Sequence, residues 1–370
     1  MPKIVTLALL AMAPLFAGTP CITTDATCTE WVILQGGPAR SLIYRTYSLD
    51  ERNPQITRAF IVIHGTNRDA DNYYRTALAA AFLGGALDDT VVISPRIASS
   101  ERGCMDKLAP NEVSYACSGD SWRAGGPTAG NAKLTSFDFV DEILRKLARK
   151  EMFPNLKHIV VAGHSAGGQF VNRYEMANQV HEKLGVPVTY VVADPSSYAY
   201  LDNTRPTSAA WPVSAGAPGY VPAPPAAPAG AAGRSGRGTA DGRANTPPSI
   251  FRMPGDGRNC TTYDQWPYGI EHRGGYSARL TDDELKKQLA SRPTTYMLGE
   301  LDILPLGGFD GSCSAMAQGP TRLARGIAFG KYVNEKFGAH HETKVIPLCG
   351  HNARCIFTSE PALPILFPKN

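Results

Sequence analysis

The chain has 370 residues, 43% of them hydrophobic and 19% charged, with a formal net charge of +4 at pH 7. Those proportions suit a globular protein with a substantial core, and the length suits one catalytic domain carrying a large insertion. Lys and Arg are scattered rather than striped between aromatics, and no run beyond the N-terminus is long and apolar enough to span a bilayer, so neither nucleic acid nor stable membrane insertion is expected.

Taken in chain order, the sequence opens Met1-Pro2-Lys3, then runs apolar over 4–17 and ends in small residues at Ala17 and Gly18. That layout predicts a secretory signal peptide at 1–18, an extracellular product and a catalytic domain at 19–370. A lipoprotein anchor on Cys21 is disfavoured, because Gly18-Thr19-Pro20 matches such processing poorly. The eight cysteines fit export, since they are even in number and form no CxxC pair of the zinc or redox kind. Spacing alone does not determine their pairing. Proximity pairs Cys21 with Cys28, Cys104 with Cys117 and Cys349 with Cys355, which leaves Cys260 with Cys313.

Residues 31–35 and 41–47, separated by Gly36-Gly37-Pro38, read as a hairpin. Short β-branched or apolar runs follow at 59–63, 91–94, 158–162, 188–193, 294–298 and 344–348, as expected of strands buried on both faces. Between them lie helical patterns. Val140, Ile143, Leu144 and Leu147 form one apolar stripe of a helix starting near Ser136, a second helix runs from Ala166 to a C-cap at Gly185, and a third covers 321–338. The alternation predicts an α/β fold, a mostly parallel sheet with helices on both faces. After the strand ending near Ala193 it breaks into a long lid-type insertion, within which 213–248 is dominated by Ala, Pro and Gly and is expected to be disordered.

The sharpest motif is Gly163-His164-Ser165-Ala166-Gly167-Gly168, directly after an apolar strand and directly before a helix. Glycines flank a nucleophile held on a tight, strained turn, and the helix that follows aims the Ala166 amide at a developing oxyanion. The second oxyanion donor is expected in Ile63-His64-Gly65-Thr66-Asn67, with the Thr66 amide first and Gly65 as the alternative. His64 reads as a packing residue, and Arg68 and Asp71 as residues that hold the loop.

A serine hydroxyl needs an imidazole to take its proton and an acid behind that imidazole. The order Ser, acid, His is met by Asp302, after the strand at 294–298, and His351, after the strand at 344–348. Asp194 and Glu300 are rivals for the acid. His340 and His341 lie at the wrong edge of the sheet and read as solvated helix-end residues. Residues 119–126, Gly-Asp-Ser-Trp-Arg-Ala-Gly-Gly, resemble other serine motifs only faintly, because no strong strand precedes them. They are expected to form a loop over the site, with Trp122 lining the entrance or capping the core.

Together Ile63-His64-Gly65, residues 163–168, Gly299 with Asp302, and Gly350-His351 resemble the α/β-hydrolase superfamily over residues 31–357. Asp194-Pro195-Ser196-Ser197-Tyr198 and residues 263–269 are more narrowly similar to secreted microbial esterase-like hydrolases. The resemblance implies a serine esterase that acts on a small-molecule or polymeric ester, and nothing in the chain indicates a cofactor or a metal. Amide or peptide hydrolysis would use the same triad, and a non-catalytic binding protein on this fold is the reading from another class. Trp122, Tyr198 and Trp266 are the candidate pocket residues, among several aromatics that could line an acyl or alcohol site.

Overall fold

The apolar runs become eight strands of one sheet: β1 (Thr29–Ile33), β2 (Arg40–Arg45), β3 (Arg58–Ile63), β4 (Thr90–Pro95), β5 (His158–His164), β6 (Val188–Ala193), β7 (Thr294–Gly299) and β8 (Glu342–Ile346). The structure is a computed structural model and describes residues 18–117, 121–207, 251–252 and 260–369. The strand order is β1-β2-β4-β3-β5-β6-β7-β8. β1 and β2 form the expected hairpin and β2 pairs antiparallel with β4, while every pairing from β4 to β8 is parallel.

Side chains alternate across the sheet, so successive residues of β3 serve two cores. Ile61 and Ile63 pack on one face with α2 (Ser136–Leu147), α3 (Ala166–Ala177), α4 (Asp282–Ser291) and α6 (Arg322–Phe337). Phe60 and Val62 pack on the other with α1 (Ala70–Leu83), α7 (Ala353–Phe357) and α8 (Leu363–Leu366), and a short α5 (Cys313–Met316) precedes α6. A strand buried on both sides has no polar face, which explains the unbroken apolar runs of the sequence.

Local signals set most helix ends. Thr135 and Asp138 close a capping box at the start of α2, and its stripe of Val140, Ile143, Leu144 and Leu147 is fully buried. Thr321 caps α6, which ends at Gly338 with φ 64°. Two expectations need correction. The helix from Ala166 stops at Ala177, followed by a 3-10 turn at His181–Lys183, so Gly185 caps no α-helix. The last strand begins two residues earlier than expected and ends before Pro347, which has no N–H for a ladder. His341 is also not solvated: its Nδ1 accepts from the buried Tyr296 hydroxyl at 2.7 Å.

The three cysteine pairs suggested by proximity are disulfides, and so is the remaining pair, Cys260–Cys313. Among the described residues no helix is long and apolar enough to cross a membrane. The insertion at 213–248, the signal segment apart from Gly18, and Gly119-Asp120 lie outside the described residues.

Candidate active site

Ser165 stands between β5 and α3 with φ 59° and ψ −119°, a region that non-glycine residues rarely occupy. The glycines around it make that turn sterically feasible. A Cβ on Gly163 would stand 2.1 Å from the Gly167 carbonyl oxygen, and one on Gly167 would stand 2.1 Å from the Ile63 carbonyl oxygen. The start of α3 is therefore pressed onto the end of β3, which places the serine at the foot of the 65–69 loop.

His351 follows β8 on a loop closed by the Cys349–Cys355 disulfide, and Asn352 beside it caps α7. The Ser165 hydroxyl donates to His351 Nε2 at 2.9 Å, and His351 Nδ1–H donates to Asp302 Oδ2 at 2.8 Å. Asp302 is buried on the loop after β7, and its other oxygen faces Arg322 Nη1 at 3.3 Å. Of its rivals, Glu300 accepts the Leu348 amide and only braces the loops. Asp194 is fully buried and accepts the Gly299 amide at 2.8 Å, while its second oxygen has no hydrogen-bond partner among the described residues and lies 3.7 Å from His164 Nε2. Burial, and next the charge of Asp302, hold the Asp194 carboxyl well above the usual carboxylate range.

Gly65 is closely packed by a neighbouring side chain. The Tyr73 hydroxyl lies tight against Gly65, where a Cβ would stand 2.7 Å from it, and bonds His164 Nδ1 at 3.0 Å. The Ala166 amide stands at the head of α3 with no intrahelical acceptor. His64 is buried, its Nε2 accepts the Ile97 amide, and burial pushes its pKa down to about 4, so it fixes the loop as a neutral ring. Arg68 spans to the carbonyls of Ile97 and Ala116 and holds the same loop from outside.

These groups open onto a cleft of about 460 Å3, walled by Thr66, Asn72, Tyr73 and Thr76 on one side and by Gly307 and Arg354 on the other. None of the three candidate pocket aromatics lines it. Trp122 caps the core against His64 and Phe170, and Tyr198 is buried on Phe329 and Tyr296. Trp266 donates to the Ala124 carbonyl and borders a separate groove beside Pro127. Tyr73, Arg322 and the Gly307-Gly308 segment reach the site without having been singled out in the sequence. One signal was available: an arginine in the first turn of a helix opposes the helix dipole and needs an anionic partner.

The one His/Cys/Asp/Glu grouping with metal-like spacing among the described residues is His164, Asp194 and His351. Both ring nitrogens of His351 are already bonded to Ser165 and Asp302, so this set does not fit a resident ion.

No protein-family model matches the sequence, and no curated protein matches it. Solved structures do match. The poly(3-hydroxybutyrate) depolymerase LpqC from Bordetella parapertussis superposes with a TM-score of 0.55 at 18% identity, covering 90% of this chain and 85% of the other. Poly(aspartic acid) hydrolase-1 from Sphingomonas sp. KT-1 gives a TM-score of 0.57 at 18% identity, covering 92% and 98%. The chain has the α/β-hydrolase fold. In this fold, β5 and α3 hold Ser165 between them, and the loops after β7 and β8 carry Asp302 and His351 at the same edge of the sheet.

Proposed function

We propose that the chain is a secreted serine hydrolase that cleaves carboxylic esters through an acyl-enzyme. The observation that supports it is the unbroken hydrogen-bonded line from Ser165 through His351 to Asp302 on the floor of an open cleft. His351 Nε2 takes the Ser165 proton as Oγ attacks the ester carbonyl. The carbonyl electron pair moves onto oxygen, where the amides of Ala166 and Thr66 receive it. Collapse expels the alcohol, protonated by His351; a water then attacks the acyl-enzyme with His351 again as base, releasing the acid and restoring Ser165. Asp302 keeps the ring proton on Nδ1 and faces the imidazolium that forms. Export belongs to the same proposal, supported by the apolar stretch at 4–17 and the four disulfides.

The test is labelling by a fluorophosphonate probe together with turnover of p-nitrophenyl esters from acetate to long acyl chains. Ser165→Ala should lose the label and at least about 10³-fold in kcat while melting like the wild type. A variant that keeps more than about a tenth of the activity would overturn the nucleophile assignment. A folded wild-type protein that neither labels nor turns over any ester would favour the non-catalytic reading. Amide analogues, poly(3-hydroxybutyrate) and poly(aspartic acid) complete the substrate panel.

A further inference from the structure

Arg322, the first residue of α6, has a fully buried side chain, and its guanidinium meets three separate segments. Nε donates to the Ser196 hydroxyl at 2.7 Å on the loop after β6, Nη1 faces Asp302 Oδ1 at 3.3 Å, and Nη2 donates to the Gly307 carbonyl at 2.9 Å. Gly307 belongs to the segment that passes over the site: a Cβ there would stand 3.2 Å from the His351 ring, and one on Gly308 would stand 3.5 Å from the Thr66 methyl. The same segment is held from below by Phe309, which lies under both Arg322 and Arg325, and by Asp310, which accepts from the Tyr268 hydroxyl at 2.7 Å.

Two buried carboxylates share this neighbourhood. Asp302 has the imidazole and the guanidinium as partners, whereas Asp194 has one amide and an orphaned oxygen. A buried carboxylate without a counter-charge is strongly disfavoured in its ionised form, so a single cation decides which of the two carries the charge. We propose that Arg322 is the positioning residue of this site: it assigns the negative charge to Asp302 rather than Asp194 and ties that acid to the Gly307 wall beside His351. The charged and titratable groups around Arg322 are Asp302, Asp194 and Asp310, with Arg325 along α6 and with His164, His351 and the Tyr198 hydroxyl beyond the carboxylates. Burial holds the His164 imidazole neutral, so Arg322 is the cation that faces the pair. Lysine cannot replace it, because one ammonium cannot span Ser196, Asp302 and Gly307 in a planar fork.

The inference rests on the proposed triad, and the test separates the two. Arg322→Gln should lower kcat by roughly 10²-fold with KM little changed, and should move the acid limb of the kcat/KM profile to higher pH. Arg322→Lys should keep the acid limb near its wild-type position while still losing kcat, since charge is retained and the fork is lost. Asp194→Asn, close to wild type by itself, should recover several-fold of the activity in the Arg322→Gln background, because one carboxylate then has no competitor. A purely structural arginine would show neither the limb shift nor that recovery, and their absence would overturn the charge assignment. Wild-type turnover in both Arg322 variants, with Ser165→Ala dead, would overturn the positioning role alone; activity in Ser165→Ala would instead overturn the triad. Should the Arg322 variants fail to fold, the infrared difference between wild type and Asp194→Asn decides: loss of a protonated carboxylic-acid carbonyl band is expected, and no such loss refutes the proposal.

Discussion

Glu175 lies in the last turn of α3, the helix that begins at the nucleophile, and it is completely buried. Its carboxyl accepts from Asn172 Nδ2 at 3.1 Å and from Thr294 Oγ1 at 2.9 Å on β7, so it links the nucleophile's helix to the strand that leads to Asp302. Burial pushes its pKa up from 4.5 to about 8, with Arg292 opposing only in part. A carboxyl whose folded-state pKa is raised contributes stability that is fully present below the unfolded value and is lost as pH rises through the folded one, here between about 4.5 and 8. Two and a half units separate the unfolded value from pH 7, which at about 1.4 kcal/mol per unit is about 3.5 kcal/mol; about 0.4 of that is already lost at pH 4.5, where half of the unfolded group is ionised, so the loss from pH 4.5 to pH 7 is about 3 kcal/mol. Glu175→Gln keeps the volume and one acceptor, and Thr294 Oγ1, already close to the Arg292 carbonyl at 3.2 Å, can accept from the new amide. Urea unfolding of both proteins across this pH range isolates the term, because every other titration cancels in the difference. The variant should match the wild type at pH 4.5, gain about 3 kcal/mol on it by pH 7 and gain no more beyond pH 8. A difference that stays flat, or that falls with pH, would refute the argument.

Two further substitutions probe the site. Asp302→Asn should cut kcat/KM on an activated ester by roughly 10²-fold to 10⁴-fold, through loss of the ring's tautomer and of the charge facing the imidazolium, while Asp194→Asn stays mild. The opposite result would move the acid to the loop after β6. Gly167→Ala forces a methyl against the Ile63 and His64 carbonyl oxygens, where backbone cannot yield; a loss of about 3 kcal/mol in urea unfolding, with reduced turnover, is expected. Wild-type stability would show that α3 can slide off β3.

The sheet was legible because its strands are buried on both faces and so appear as apolar runs between Gly, Pro and helical stretches. The edge strands β1 and β8 were the exceptions: neither is buried along its whole length, so their ends are poorly marked, and the expected limits, 31–35 and 344–348, came out two residues late. The nucleophile turn was legible for a local reason, since glycines at 163 and 167 are demanded by backbone contacts as close as 2.1 Å. The proposed base, His351, was read from the order Ser, acid, His and from its place directly after the last strand.

Other features depend on contacts between segments far apart in the chain. Asp194 and Asp302 end neighbouring parallel strands, and strand order alone does not separate them; the loop after β7 brings Asp302 to the imidazole, while Asp194 turns back to the Gly299 amide. Trp122, Tyr198 and Trp266 were ambiguous because an aromatic side chain suits a core and a pocket equally well, and only packing against His64, Phe329 and the Ala124 carbonyl separates the two. Arg322 sits directly after a helix cap, where its charge opposes the helix dipole, but the sequence does not say which anion answers it. Its burial arises only where the loops after β6 and β7 close over the start of α6, so the amino-acid order marked Ser165 and His351 as the proposed nucleophile and base, and the meeting of those loops decided which carboxylate bonds the imidazole and what holds it.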